Sequence, residues 1–551
     1  MKKLSLIQIY ERALHTHFDR PALSDYGTND HYTYGDVARE IAKLHILFDE
    51  LQIKQGDKIG VIGKNNARWC ITYLATITYG AISVPILQDF TPADILHIVN
   101  HSESSLLFCS DSIWDTLDFD RMKKTRAVVS LSDFRLLQQK EEEKVNKILP
   151  EITKKLAEKY PQGYKKEDIQ FLDLSDDQIM VLNYTSGTAG FTKGVMITGN
   201  NLNGNLIFAH DTILLTAKDQ ILSFLPLAHT YGCAFEFLFP FMEGVHITLL
   251  NRVPTPTILV KAFQEVQPAL IISVPLILEK IYRNMIQPLL NKKAIKFIIK
   301  VPGLNSIIYN MIQRKLTASF GGKFSQVVIG GAPLNSEVES FLVKIKFPVT
   351  VGYGMTECAP LVSFSPADEY IPLSCGKALP NMDIRIDSTD PENIAGEIQV
   401  KGQNVMKGYY KNEEATREAF TEDGFLKTGD LGTMDKNRNI FIRGRSKSLI
   451  LSANGQNIYP EEIEAKLNNM PYVLESLVVD RNSKLIALVY PDREALKSAG
   501  LNENDLKNIM SENKEILNRH LAGFEKVVDI QLQDVEFEKT PKKSIRRFLY
   551  N

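Results

Sequence analysis

The residues most able to do chemistry lie in one short run. Tyr184–Gly194 reads Tyr-Thr-Ser-Gly-Thr-Ala-Gly-Phe-Thr-Lys-Gly. Gly187, Gly190 and Gly194 open backbone conformations closed to other residues. The hydroxyls of Thr185, Ser186, Thr188 and Thr192, with nearby backbone N–H groups, can surround phosphate oxygens, and Lys193 adds a point charge. The run differs from the P-loop of kinases and ATPases, because Lys193 follows Thr192 rather than Gly and precedes Gly194 rather than Ser or Thr. Taken alone, it also reads as an ordinary Ser/Thr/Gly turn. His229, within Leu225–Gly232 (LPLAHTYG), is a lone histidine among apolar and aromatic neighbours, a setting that suits a packed ring as well as a functional one.

The elements that must position these residues follow from periodicity. Asp36–Leu51 has apolar residues at helical spacing, Lys58–Ile62 reads as a strand, and helix Arg68–Tyr79 and strand Ala81–Ile86 follow. Such alternation predicts βαβ units around a parallel sheet. Leu117–Asp173 is rich in Lys and Glu and reads as a solvated helical excursion on the surface. The βα pattern resumes from Asp177 to about Val351, with apolar strands at Leu270–Val274 and Val327–Ile329. Short strands with Gly-bearing turns predict a β-rich subdomain over about 372–445, and a last α+β unit runs from 446 to 551. The boundary falls in Arg443–Lys447. The fold class is therefore α/β: a large N-terminal domain, 1–445, of doubly wound βαβ subdomains with the β-rich subdomain, and a C-terminal α+β domain.

Composition narrows the function. A chain of 551 residues suggests about three or four structural units. Lys and Arg number 64 against 66 Asp and Glu, a formal charge of −2, so no overall field favours nucleic acid. The five cysteines are scattered and never form a CxxC pair, which suits free thiols of a reducing compartment. The N-terminus lacks the apolar core of a signal peptide. With no spanning run of apolar residues, a cytoplasmic protein is expected, in contact with the inner face of a membrane at most peripherally.

In register, the motifs resemble those of the adenylate-forming (AMP-binding) superfamily, and the resemblance covers nearly the whole chain. It rests on the Tyr184–Gly194 run, Leu225–Gly232, Gly330–Pro333, Gly352–Glu357 (GYGMTE), Thr428–Asp430 and the stretch from Gly444 (GRSKSLILSANGQNIYPEEIE). The resemblance implies in-line attack of a carboxylate on the α-phosphate of ATP, a reaction eased by positioning and charge neutralisation. It implies that Thr185, Ser186, Thr188 and Lys193, with Gly187 and Gly190, hold the β- and γ-phosphates. Glu357 would hold Mg²⁺, and Thr356 would touch the α-phosphate. Gly331 and Ala332 would lie along the adenine, Tyr353 would stack on it beside Gly354, and Asp430 and Arg445 would hold the ribose. His229 would stand where the ATP and acyl sites meet. Lys447 would be the hinge on which a mobile C-terminal domain swings between two poses, with Gly455 bordering the path of coenzyme A.

One departure stands out. Family members carry a lysine one position before an Ile-Arg-Arg-like run, and here Ser544 precedes Ile545-Arg546-Arg547. Serine cannot supply the charge, so either Lys543, or less favourably Lys542, substitutes, or the adenylating step is weaker than is usual in the family. The resemblance is nearest to long-chain fatty acid CoA ligases, through Ser273-Val274-Pro275 and Leu278–Tyr282. The implied reaction converts a fatty acid, ATP and coenzyme A into acyl-CoA, AMP and pyrophosphate. Acyl carrier protein is the alternative acceptor, and a non-catalytic acyl or nucleotide sensor is the alternative class. Phe235–Met242 reads either as the lining of an alkyl tunnel or as a buried element. Lys292–Lys315, basic and apolar together, reads either as an interfacial patch or as a helix-packing element.

Overall fold

Thr33 starts the first long helix. Its hydroxyl accepts from the Asp36 N–H while the Asp36 carboxylate accepts from the Thr33 N–H, capping helix Tyr34–Glu50. The computed structural model describes residues 4–185, 192–290, 292–301, 303–451, 456–482, 484–540 and 545–550. Strands Lys58–Ile62, Ile82–Ile86 and Ser104–Cys109 run parallel, joined by helices Ala67–Tyr79 and Pro92–Ser102, as the alternation predicts. Strand Ile179–Thr185 lies beside Ile82–Ile86 and turns back antiparallel as Lys193–Thr198. Gly408–Tyr409 closes that edge of an eight-stranded mixed sheet.

The other edge corrects the reading of Leu117–Asp173. Ala127–Ser130 is wholly buried and pairs in parallel with Ser104–Cys109, and Leu136–Gln139 folds back against it. Helix Val145–Lys159 buries Val145, Ile148 and Leu156 and packs on helix Tyr34–Glu50. Most of the Lys and Glu residues lie on the outer face, while Glu143 turns inward to pair with Arg126. A four-residue strand and three apolar helix positions are too sparse a signal to rise above that charge.

Besides a short antiparallel sheet of Tyr353–Gly354, Leu361–Phe364 and Lys377–Ala378, two smaller sheets complete the α/β part. One runs Gln220–Ser223, His246–Leu249, Pro21–Asp25, His31–Thr33. The other is fully parallel: Ile271–Ser273, Val327–Ile329, Val349–Val351. The β-rich part is a meander of Met382–Asp387, Gly396–Gly402, Leu426–Met434 and Ile440–Arg445. One continuous apolar core reaches from Leu6 to Ile440. Beyond Ser446–Ser448, a separate core that includes Ile463, Leu467, Val489, Leu506 and Leu517 holds helices Pro460–Leu467 and Glu503–Arg519 against a three-stranded sheet. Among the described residues no helix is long and apolar enough to cross a membrane.

Candidate active site

A cleft opens at the carboxyl ends of the three parallel strands, where Gly330 and Gly331 follow Val327–Ile329 and Gly352 follows Val349–Val351. Phe208, Tyr231, Phe235 and Phe364 supply its apolar wall, and His229 and Tyr353 line it as well. Gly331 has φ +85°, and the nearest atom to a Cβ built there is Val274 Cγ1 at 3.9 Å, so its bare backbone borders open space. At Gly354 a Cβ would meet the Pro360 carbonyl oxygen at 2.3 Å, which forbids any side chain. Phe235 belongs to a π-helical turn, Cys233–Leu238, that continues as helix Phe239–Met242. Phe237, Phe239 and Phe241 are buried in the core, so Phe235–Met242 is a buried helix that contributes Phe235 to the cleft.

On one side stand Tyr353, Asp430 and Arg445. The Tyr353 hydroxyl donates to Asp430 Oδ2 at 2.6 Å, and Arg445 Nε is 3.0 Å from Asp430 Oδ1. Asp430 and Arg445 are cross-strand partners in the meander, which explains how residues fifteen positions apart meet. Burial raises the Asp430 carboxyl, while the Arg445 charge and the Tyr353 hydroxyl oppose the rise. The Tyr353 phenol is pushed well up by burial and by the Asp430 charge, so it stays a donor.

A second cluster holds Lys193 and Glu357. Thr185 and Lys193 face each other in the strand register, so the two ends of the glycine-bearing run lie side by side. Tyr409, paired with Val195, donates its hydroxyl to Glu357 Oε1 at 3.0 Å, and Lys193 Nζ lies 4.7 Å from the centre of the Tyr409 ring. Burial and the Glu357 charge push the Tyr409 phenol up. Tyr409 escaped the sequence reading. Its only signal there is a Tyr-Tyr pair after Gly408.

His229 caps the helical turn Thr230–Gly232, with Nδ1 accepting from the Tyr231 N–H at 3.3 Å. A neutral ring with Nδ1 accepting carries its proton on Nε2. Buried polar side chains fix the segment before it. Asn183 donates to the Ala228 carbonyl at 3.0 Å, and Asn65 donates to the Leu225 carbonyl at 2.6 Å while accepting from the Leu227 N–H at 3.1 Å. Glu236 Oε2 accepts from the Phe224 N–H (2.9 Å), the Leu225 N–H (2.8 Å) and the Ser223 hydroxyl (3.1 Å). Burial drives the Glu236 carboxyl well above its ordinary range. Thr230 Oγ1, beside the cleft, is buried without a partner among the described residues.

The cleft thus brings together Gly331, Tyr353, Gly354 and His229, with Asp430 and Arg445 joined through Tyr353 and Lys193 joined to Glu357 through Tyr409. Thr356 is buried in the turn Thr356–Cys358 that also carries Glu357, and Ala332 is exposed just past Gly331. Lys447 is exposed in the turn that follows Arg445. Ser186, Gly187, Thr188, Gly190, Gly455, Lys542, Lys543 and Ser544 lie outside the described residues.

A family model described as "AMP-binding enzyme" matches residues 10–410. The chain belongs to the AMP-binding enzyme family. This AMP-binding enzyme is 28% identical over 562 residues to long chain acyl-CoA synthetase 5 of Arabidopsis thaliana, across 92% of this chain and 82% of that protein. It is 28% identical over 510 residues to the long-chain-fatty-acid–CoA ligase FadD15 of Mycobacterium bovis, across 86% and 81%. Its fold matches the crystal structure of ATP-bound MatB from Rhodopseudomonas palustris with a TM-score of 0.77 at 22% identity, over 99% of this chain and 98% of that one.

Proposed function

We propose that this AMP-binding enzyme is a fatty acid–CoA ligase that prefers long chains and works in the cytoplasm. A carboxylate oxygen attacks the α-phosphorus of ATP and pyrophosphate leaves. The CoA thiol, losing its proton, then attacks the acyl carbonyl of the acyl-adenylate, giving the thioester and AMP. What supports the reading is an apolar cleft whose Tyr353 is bonded to Asp430 and through it to Arg445, with the Lys193–Tyr409–Glu357 cluster carried by the chain two residues beyond the cleft-lining Met355. The names of the two relatives support CoA as acceptor and a long-chain acid as substrate.

We assign Asp430 to accept from both ribose hydroxyls, with Arg445 beside it and the Tyr353 ring against the adenine. Gly331 and Ala332 run along the base, and Gly354 lets the chain pass close. Thr185, Ser186, Thr188 and Lys193, with Gly187 and Gly190, hold the β- and γ-phosphates, and Thr356 touches the α-phosphate. Glu357 is a hard oxygen donor already oriented by Tyr409, and a single carboxylate suits Mg²⁺, which otherwise keeps water and phosphate oxygens. Mg²⁺ bound there would supply positive charge against the phosphates. His229 separates the nucleotide from the acyl chain and presents the Nε2 proton.

The unit beyond Arg445 is assigned as the domain that swings about Lys447, with Gly455 along the CoA path and Lys543 supplying the charge absent at Ser544. Acid-dependent exchange of labelled pyrophosphate into ATP tests the first half-reaction. Exchange with long-chain acids supports the reading, and ATP binding without exchange for any acid overturns it.

A further inference from the structure

From Lys280 to Ser336 the chain carries nine Lys or Arg and neither Asp nor Glu, although its net charge is only −2. Within this stretch, helices Lys293–Ile299 and Leu304–Ser319 pack on each other as a hairpin. The inner face of the longer helix buries Ile308, Ile312 and Leu316. Its outer face carries Leu304, Ile307 and Met311 at i, i+3 and i+7, so they form one stripe. Ile307 is 63% exposed and, on the neighbouring helix, Phe297 is 73% exposed. Lys292, Lys293, Lys296, Lys300, Arg314 and Lys315 are exposed around these apolar residues, and among the described residues none of the six forms an ion pair.

We infer that this hairpin docks on an anionic lipid bilayer. An apolar stripe left in water is unfavourable, and a rim of unpaired cations with no acid between them complements a negatively charged surface. A soluble polyanion would satisfy the lysines and leave Phe297, Ile307 and Met311 in water, whereas lipid headgroups and acyl chains take up both. Helix Pro275–Ile281 leads from strand Ile271–Ser273, whose Ile272 walls the cleft, toward this hairpin. The docking does not depend on the reaction assigned to that cleft. If the assignment holds, the surface brings the cleft to the phase in which its substrate dissolves.

Flotation of the full chain with phosphatidylcholine vesicles, with and without phosphatidylglycerol, tests this. Binding is expected only with phosphatidylglycerol, weakening as salt rises. Phe297→Glu with Ile307→Glu, and separately Lys293→Glu with Lys296→Glu, should lower the partition roughly tenfold or more. Lys147→Glu with Lys154→Glu, an equal charge change at exposed positions of helix Val145–Lys159, should leave it unchanged. Thermal unfolding checks that each variant is folded, and activity on acid delivered in micelles should stay at the parent level. Failure of the parent chain to float with anionic vesicles would overturn the inference, as would equal flotation of the Phe297/Ile307 variant. Retention on heparin without flotation would also overturn it, by indicating a polyanion. None of these outcomes bears on pyrophosphate exchange.

Discussion

The Tyr353 hydroxyl lies 2.6 Å from Asp430 Oδ2, which ties the strand that follows the parallel sheet to the β-rich meander. Arg445 takes the other carboxylate oxygen at 3.0 Å. The carboxylate is therefore oriented from two sides, and both partners favour its charged form against burial.

Tyr353→Phe keeps the ring and removes the donor. A hydrogen bond to a charged group contributes about 1.5–3 kcal/mol, so the KM for ATP should rise at least tenfold with little change in KM for the acid. Steady-state kinetics against each substrate checks this. Asp430→Ala should abolish detectable turnover.

Tyr409 makes two contacts that substitution can separate. Tyr409→Phe loses the hydroxyl bond to Glu357 but keeps the ring near Lys193. It should raise the Mg²⁺ needed for half-maximal rate and leave the KM for ATP nearly unchanged. Tyr409→Leu also removes the cation–π contact, so the KM for ATP should rise a further ~threefold. A parallel titration of Mg²⁺ and ATP distinguishes the two.

Glu236 anchors the segment leading to His229. Glu236→Leu would strand two backbone N–H groups and a hydroxyl in the core, at about 1–3 kcal/mol for each. Glu236→Gln keeps an acceptor and should cost far less. Denaturant unfolding midpoints should rank the parent and Gln proteins close together, with Leu well below.

His45 makes acid stability predictable. It sits half-buried on helix Tyr34–Glu50 against helix Ala67–Tyr79, with Nε2 3.0 Å from the Ala75 carbonyl, and desolvation lowers its pKa to about 4. A folded pKa below the unfolded value of 6.5 means that its contribution is complete above that pH. The contribution falls as pH drops toward 4, by ~3 kcal/mol in all. Thermal midpoints measured across this window should decline, and His45→Leu should remove that share of the slope.

Lys543→Ala should slow adenylate formation at least roughly tenfold, the loss of one well-placed charge, and leave thioester formation from supplied acyl-adenylate nearly intact. Lys542→Ala should have the smaller effect. Unchanged adenylation in both would remove the substitution for Ser544.

Much of this site was legible because local motifs carry it. Lys193, Gly331, Tyr353, Glu357 and Asp430 each sit in a short run that carries the family resemblance, and the roles proposed for them come from that resemblance. What stayed hidden depends on strand register and burial. Tyr409 reaches Glu357 only because Gly408–Tyr409 pairs with Lys193–Thr198, and no local spacing encodes that. Glu236 lies in an aromatic run that reads as packing, and its carboxylate gains meaning only from the backbone it faces. The apolar residues of 117–173 were outweighed by lysine and glutamate because a buried strand next to the sheet edge needs only four residues.

The central claim is the formation of acyl-CoA from acid, ATP and CoA. The most direct measurement follows AMP and acyl-CoA together across carboxylic acids from acetate to stearate, with Mg²⁺ present. Equimolar AMP and thioester, with the highest kcat/KM among the long-chain acids, is the predicted result. Absence of both products for every acid, from a protein that still binds ATP, would contradict the account.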